Sequence, residues 1–184
     1  MLVLVAASRP ATAEPRCPAD ATVGLVVDGA TAWTFVRGTL RAIDLASGVP
    51  RWRLDDGSRP IAIVAPGRLL VERAGGRRVL DGTSGRELDD EAPPTRAAAV
   101  AVAVEQVKIG RHLYRLGGDC AAIHTFDASG QRAVAAPFPV AAGVVALASS
   151  GTTLVALDAG GSLILVPARG RPRPRVAAWR QVRP

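Results

Sequence analysis

A turn built on Asp and Gly recurs along this chain and constrains its fold more than any other feature. The clearest copy is the stretch 44–48, Asp-Leu-Ala-Ser-Gly, which follows a short apolar run. Similar stretches begin at Asp81, Asp127 and Asp158, at intervals of 37, 46 and 31 residues. Such intervals are typical of small antiparallel sheets that repeat, as the blades of a β-propeller do. The spacing therefore predicts an all-β protein made of repeated sheets.

The chemistry of this turn explains its residue types. An Asp side chain at the end of a strand accepts hydrogen bonds from backbone N–H groups two or three residues further on, and Ser reinforces the turn. Gly supplies the positive φ that closes it. We therefore interpret these positions as structural corners between strands. The predicted structural residues, which include one aromatic residue close after the first corner, are Asp44, Ser47, Gly48, Trp52, Asp81, Gly85, Asp127, Gly130 and Asp158.

Short apolar runs separated by Gly, Pro, Asp and Ser fall into four groups. The first predicts strands at 22–27, 31–37, 39–45 and 50–54, and the second at 60–64, 68–73, 77–81 and 86–88. The third predicts strands at 97–104, at 107–109 or 114–116, at 121–126 and at 131–135. The fourth predicts strands at 143–148, 152–157, 162–167 and 175–179. We expect about four blades of four antiparallel strands each.

Four blades leave the closure of the assembly open. A sheet that is apolar on both faces must pack against a neighbour on each side. The blades therefore form either a small closed ring or part of a larger propeller, and a sandwich or barrel is the remaining alternative. A closed ring is usually secured by one blade that takes strands from both ends of the chain, here from about residue 20 and from about residue 175.

The pattern of residues 42–52, Ala-x-Asp-x-x-Ser-Gly-x-x-x-Trp, resembles the repeat of the PQQ-like, quinoprotein-type propeller family. In that family the Trp docks one blade onto the next, and Trp52 occupies its position. The second copy has Asp89 there, so the later repeats are degenerate. Quinoprotein dehydrogenases in this superfamily use a Cys-Cys pair, which this chain lacks. We therefore predict no cofactor.

The first residues resemble an export signal. Residues 1–7 are apolar, and Ala-Thr-Ala at 11–13 precedes Glu14-Pro15 as in a signal-peptidase site. We predict a signal peptide at 1–13 and a single propeller-like domain at 14–184, exported to the periplasm, the medium or the cell surface. No segment is long and apolar enough to predict a membrane span. The alternative is a frayed N-terminus of a cytosolic protein.

The two cysteines fit an oxidising compartment. Cys17 and Cys120 are the only cysteines of the chain, and a pair in an exported protein predicts one disulfide. Two unpaired thiols are the alternative if the protein stays inside the cell. The spacing of these residues does not fit a zinc site.

Positive charge is concentrated at the C-terminal end. The chain has a net charge of +7, yet residues 169–184 contain six Arg and no acidic residue. This Pro- and Arg-rich segment is interpreted as a solvated connector or as a surface that binds an anionic polymer. No aromatic residues interleave with it in the way expected of nucleic-acid binding. The residues predicted for anionic-surface binding are Arg169, Arg171, Arg173 and Arg175.

Few residues suggest catalysis. The carboxylate clusters Asp55-Asp56 and 89–91 follow strands, where acidic side chains are usually solvated. The alternative is that their oxygens bind calcium. His112 and His124 have no Ser or Cys partner at recognisable spacing, so we interpret them as structural.

The sequence therefore favours a non-enzymatic, exported propeller-like module that binds a protein partner or acts as a scaffold. For this function class we draw an analogy with the outer-membrane assembly lipoprotein that has PQQ-like blades. Two alternatives remain: a fragment or relative of a PQQ-like propeller enzyme, and a binder of anionic surface polymer through the basic segment.

Overall fold

The structure is a computed structural model that describes residues 23–88, 106–118, 120–139, 143–167 and 180–182. Over these residues the chain forms β-strands and no helix. The strands are grouped into four antiparallel sheets in which most neighbours are consecutive along the chain. This arrangement confirms the all-β, propeller-like class that the repeated turns predict.

The strands occur in four meanders. Sheet 1 contains β1 (Val23–Asp28), β2 (Thr31–Val36), β3 (Thr39–Asp44) and β4 (Pro50–Leu54). Sheet 2 contains β5 (Arg59–Ala65), β6 (Arg68–Arg73) and β7 (Gly76–Asp81). Sheet 3 contains β8 (Gln106–Ile109), β9 (His112–Leu116), β10 (Ala122–Phe126) and β11 (Phe138–Pro139). Sheet 4 contains β12 (Val144–Ser150), β13 (Thr153–Asp158), β14 (Leu163–Pro167) and β15 (Arg180–Val182).

The predicted strands of sheet 1 are confirmed, and so are the first three of sheets 2 and 4. The strand predicted at 86–88 is reduced to one bridge between Leu80 and Glu87. In sheet 3, 107–109 and 114–116 both lie in strands, whereas 131–135 forms only a bridge from Phe126 to Ala133. The fourth strand there is Phe138–Pro139, and Pro137 and Pro139, which lack an N–H group, keep it short. The predicted strands 97–104 and 175–179 lie outside the described residues.

The fourth corner does not occupy the position of the other three. Asp44 and Asp81 end the third strand of their sheets and Asp127 directly follows the third strand of sheet 3, but Asp158 ends β13, the second strand of sheet 4. In an antiparallel meander, successive turns alternate between the two ends of the sheet. Asp158 therefore lies at the opposite end of its sheet from the equivalent of Asp44, and its resemblance to the first corner is local.

Sheet 1 buries both of its faces because apolar residues occupy successive positions along its strands, and side chains alternate between the faces. One face contributes Val23, Leu25, Ala32 and Ile43 to a cluster with sheet 4. The other face contributes Trp33, Phe35, Leu40 and Ala42 to a cluster with sheet 2. A third cluster joins sheets 3 and 4 through residues such as Ile123 and Leu147.

The first strands of the sheets lie side by side, with β1 against both β5 and β12, and β12 against β8. The sheets are therefore ordered 2–1–4–3. Sheets 2 and 3 do not pack face to face over the described residues, so these form an open arc and not a closed ring. The described strands of each sheet come from one continuous part of the chain. The expected blade with strands from both ends of the chain is not seen among them.

Candidate functional site

The Asp44 corner is held by a dense set of hydrogen bonds. Asp44 Oδ1 accepts hydrogen bonds from the backbone N–H of Ala46 at 3.0 Å, the backbone N–H of Ser47 at 2.8 Å and the hydroxyl of Ser47 at 2.9 Å. Arg51 donates to Asp44 Oδ2 and forms an ion pair with it. Gly48 closes the turn at a φ of 75° and donates its N–H to the Asp44 carbonyl at 2.7 Å. The Asp44 carboxylate is thus engaged by groups of its own turn and by Arg51.

The other corners repeat this bonding with fewer contacts. Asp81 accepts hydrogen bonds from the backbone N–H and the hydroxyl of Ser84, both at 2.7 Å. Asp127 accepts from the hydroxyl of Ser129 at 2.6 Å, and Asp158 from the N–H of Ser162 at 2.7 Å. The closing glycines of these three turns all have positive φ: Gly85, Gly130 and Gly161.

These hydrogen bonds favour the ionised carboxylates. The backbone N–H of Ser47, followed by Arg51, holds the pKa of Asp44 well below its usual range. The Ser84 hydroxyl lowers the pKa of Asp81, and the Ser129 hydroxyl lowers that of Asp127. Three carboxylates that are stabilised as anions by their own turns are poorly suited to accept a proton from a substrate.

Trp52 docks sheet 1 onto the corner of sheet 2. Its indole Nε1 donates a hydrogen bond to the carbonyl of Gly82 at 3.0 Å. The ring lies against Gly85, where a built Cβ would come within 2.8 Å of Trp52 Cδ2. The PQQ-like resemblance implies a docking role of this kind for the Trp at this position.

Trp33 completes this junction from the centre of sheet 1. Its side chain is buried, and a Cβ on Gly82 would come within 2.7 Å of Trp33 Cζ2 and 2.8 Å of the Gly67 carbonyl oxygen. The N–H of Gly82 donates to that same carbonyl at 2.6 Å. Two Trp side chains thus pack against one corner that has no room for a side chain at Gly82.

The outer face of sheet 3 differs from the faces at this junction. We define it by six residues that oppose one another in register across β8, β9 and β10: Gln106, Lys108, Leu113, Arg115, His124 and Phe126. Lys108 and Arg115 are exposed, and His124 and Phe126 are half-buried. None of the six is acidic. This outer face is cationic and aromatic, whereas the opposite face of the sheet is apolar and packs on sheet 4.

Contacts within the outer face fix the positions of its side chains. The Arg115 guanidinium lies over the Phe126 ring, 5.1 Å from its centroid. The rings of His124 and Phe126 are stacked with centroids 6.3 Å apart. Gln106 Oε1 accepts hydrogen bonds from Arg115 Nε and Nη2 at 3.3 and 3.2 Å. Such a cation–π contact holds the guanidinium against the ring while leaving it accessible to a partner.

The inner face of sheet 3 buries polar atoms that lack partners. Nδ1 of His112 and Oγ1 of Thr125 are both buried without a hydrogen bond. Burial also raises the pKa of Tyr114, which lies opposite Thr125. These groups face the cluster with sheet 4, and His112 and His124 therefore lie on opposite faces of the sheet and form no pair.

The carboxylates that suggested calcium are engaged elsewhere. Asp55 accepts hydrogen bonds from Thr39 and from Arg53, both at 2.8 Å. Asp56 pairs with Arg73 at 3.1 Å and accepts the N–H of Ser58 at 3.0 Å. Among the residues that the structure describes, no group of three or more His, Cys, Asp or Glu side chains could hold a metal ion. The cluster 89–91 lies outside those residues.

Several predicted residues cannot be placed. Cys120 is disulfide-bonded, but Cys17 lies outside the described residues, so the Cys17–Cys120 pairing stays a prediction. The segment 1–13 also lies outside them. No helix in the described ranges is long and apolar enough to cross a membrane. The four residues predicted to bind an anionic surface, Arg169, Arg171, Arg173 and Arg175, likewise fall outside these ranges.

Sequence reasoning missed the outer face of sheet 3. It located β8 and β9 only as alternatives and interpreted His124 as an isolated residue. The available signal was the alternation along 122–126, in which His124 and Phe126 alternate with the buried Ile123 and Thr125. Strand alternation places those two residues on one face, but the register that adds Arg115 to them is a property of the folded sheet.

Comparisons with known proteins concern the fold alone. No protein-family model and no curated protein matches the chain. BamB from Moraxella catarrhalis matches at 14% identity and a TM-score of 0.30, over 78% of this chain and 44% of that one. The computationally designed Ika4 protein matches at 11% identity and a TM-score of 0.32, over 82% of this chain and 93% of that one.

The β-propeller domain of Cps50 (Swd1) from Myceliophteria thermophila matches at 14% identity and a TM-score of 0.30. That match covers 81% of this chain and 71% of the other. This chain spans less than half the length of BamB, 44%.

Proposed function

We propose that this protein is a non-enzymatic interaction module that binds a protein partner through the outer face of sheet 3. The observation that carries the proposal is that exposed cationic side chains and half-buried aromatic rings share the outer face of sheet 3. Arg and aromatic residues are enriched at protein interfaces because they combine apolar area with directional bonding. Lys108 and Arg115, with no acidic residue on the face, favour a partner segment that carries carboxylates.

The state of the two faces of sheet 3 supports this proposal. A sheet in a repeat array is expected to bury both faces against neighbours. Sheet 3 buries one face on sheet 4, whereas Lys108 and Arg115 on the other face are exposed and Phe126 is half-buried. An aromatic ring held under a guanidinium offers apolar area that a partner can cover without unfavourably burying an unpaired charge, provided the partner supplies a carboxylate.

Site-specific photo-crosslinking in the native host tests the surface. A photoreactive phenylalanine derivative at position 108 is expected to give a discrete adduct with another protein, and the same residue at the exposed position 77 of sheet 2 gives none. Adding Arg115→Glu to the first variant is expected to abolish the adduct. Equal adducts at both positions, or none at 108, would contradict the proposal.

We also propose that the protein is exported and that its first repeat belongs to the PQQ-like type. The Ala-x-Ala sequence at 11–13 supports export, and the docking of Trp52 on the sheet 2 corner supports the repeat assignment. Export predicts a mature N-terminus at Glu14 and a mass that increases by two hydrogens on reduction of a Cys17–Cys120 disulfide. Recovery of the full-length, unprocessed chain in the cytosolic fraction would contradict it.

A further inference from the structure

A cleft of about 220 Å³ lies where the β2–β3 hairpin of sheet 1 meets the Asp158 corner of sheet 4. Its walls are formed by Thr34, Arg37, Thr39 and Arg41 on one side and by the backbone of Gly160 and Gly161 on the other. Gly161 approaches closely enough that a Cβ there would lie 3.7 Å from Val36 and 4.0 Å from Nη1 of Arg41. The cleft exists because the fourth corner lies at this end of its sheet.

The cleft carries two arginines without ion-pair partners. Arg51, Arg53, Arg73 and Arg78 each pair with a carboxylate. Neither Arg37 nor Arg41 forms such a pair with any described residue. Two carboxylates beside the cleft are engaged by other groups: Asp55 accepts hydrogen bonds from Thr39 and Arg53, and Asp158 accepts one from Ser162. The hydrogen bond from Arg53 is the main interaction that lowers the pKa of Asp55, and the charge of Arg41 contributes less.

The backbone at Arg37 is strained. Arg37 has a φ of 51° and is followed by Gly38 at 84°, so both central residues of this two-residue hairpin lie in the left-handed region. Asn, Asp and Gly are the residues that suit such a turn. An Arg in this conformation carries a conformational cost that Gly would not. Backbone strain of this kind is concentrated at functional sites, where the function of the side chain requires the unfavourable conformation.

We propose that this cleft binds a compact oxyanion, either a carboxylate or a phosphoryl group, through the guanidinium groups of Arg37 and Arg41. A guanidinium matches two oxygens of such a group with two parallel N–H donors. The Thr34 hydroxyl lines the same wall and adds a neutral donor. The site is separate from the outer face of sheet 3 and does not depend on the function proposed for that face.

Two probes distinguish the sources of the oxyanion. Inorganic phosphate is titrated into the full-length protein and followed by phosphorus NMR line broadening. An acetylated tripeptide with a free C-terminal carboxylate is compared with its C-terminal amide by isothermal titration calorimetry. We expect saturable binding of phosphate or of the free-acid peptide, and no binding of the amide.

The variant Arg37→Asn separates the site from the fold. Asn suits the left-handed turn, so its midpoint of thermal unfolding is expected to equal or exceed that of the wild type, while affinity for the bound oxyanion falls at least about tenfold. Arg111→Asn, in the exposed β8–β9 hairpin, is the matched control and is expected to bind normally. A variant with the four arginines at 169, 171, 173 and 175 changed to Gln tests the basic segment in the same assay.

Three results would overturn the proposal. The first is the absence of saturable binding by both phosphate and the free-acid peptide. The second is an Arg37→Asn variant that binds as tightly as the wild type. The third is an equal loss of affinity in Arg111→Asn or in the variant of the basic segment, since this would show that overall charge, and not the cleft, attracts the anion.

Discussion

The junction between sheets 1 and 2 and the outer face of sheet 3 show two opposite uses of aromatic residues in one repeated architecture. At the junction, Trp33 and Trp52 pack against a corner of the next sheet. On sheet 3, Phe126 lies under Arg115 and remains half-exposed. Sheets 1, 2 and 3 all have an Asp corner at the end of their third strand. The difference teaches that the corner organises a single sheet, whereas the docking of a neighbour depends on the aromatic residue added to it.

The largest expected effect is that of Gly82→Ala. The new methyl group would lie 2.7 Å from Trp33 and 2.8 Å from a backbone oxygen that cannot move aside, so we expect a loss of about 2–3 kcal/mol in the free energy of unfolding. Denaturant unfolding measures it. In the matched variant Gly24→Ala the new contacts are 3.4 Å or longer, and stability should be unchanged or raised by up to about 1 kcal/mol. Equal stability of the two variants would refute the tight junction.

Trp52→Ala should have the next largest effect. It removes a half-buried ring and its hydrogen bond to Gly82, for an expected loss of about 1.5–3 kcal/mol. Trp52→Phe keeps most of the ring contact and should cost about 1 kcal/mol. Phe126→Ala on sheet 3 is expected to cost less than about 1 kcal/mol, because its ring docks no neighbouring sheet. Urea midpoints for the three variants rank the two regions, and a larger cost at Phe126 than at Trp52 would reverse the comparison.

The corners should make stability depend on pH. Because the hydrogen bonds from Ser47 and Arg51 hold the folded-state pKa of Asp44 well below its usual value, its stabilising contribution is present above that usual value and is lost as the pH falls through the folded pKa. Asp44→Asn should therefore lower the unfolding midpoint at pH 7, with a difference from wild type that shrinks in acid.

Asp127→Asn is the comparison from sheet 3 and should lower the midpoint less. Among the described side chains, Ser129 donates to Asp127, whereas Asp44 is bonded by both Ser47 and Arg51. Thermal unfolding from pH 7 to pH 2 measures both. A difference between Asp44→Asn and wild type that grows as the pH falls would show that the ionised Asp44 carboxylate does not stabilise the fold.

The smallest expected effect, and a stabilising one, is that of Thr125→Val on the inner face of sheet 3. Valine has a similar shape and removes a buried hydroxyl that has no hydrogen-bond partner. The free energy of unfolding should rise by up to about 1 kcal/mol. A loss of more than that amount would indicate that the hydroxyl has a partner, such as an ordered water molecule.

The spacing and chemistry of the corners allowed most of the fold to be predicted. The interval between Asp44 and Asp81, and the apolar runs before each, predicted the strands of sheet 1 because strand alternation and turn chemistry are local properties. The same local signal identified Asp158 as a fourth copy of the corner, although it follows the second strand of its sheet and the other three follow the third. Nothing within a five-residue turn specifies which strand precedes it.

The candidate sites were harder to predict for a related reason. Arg115, His124 and Phe126 meet only after β9 and β10 pair in one particular register. Arg41 and Gly161 come close together because sheet 1 packs against sheet 4, and neither segment alone predicts that contact. Contacts between two sheets depend on how residues distant in sequence pack together. The sequence of one strand therefore does not predict them.

The packing of β1 against β12 has a consequence for synthesis. Ser150 donates a hydrogen bond to the carbonyl of Gly29, a contact between residues 121 positions apart. At about 5–20 residues per second, the ribosome needs on the order of ten seconds to deliver the second partner. During that interval Val23, Leu25 and Ile43 have no fourth sheet to cover them. The nascent chain thus exposes an apolar face for longer than the time in which a small sheet forms.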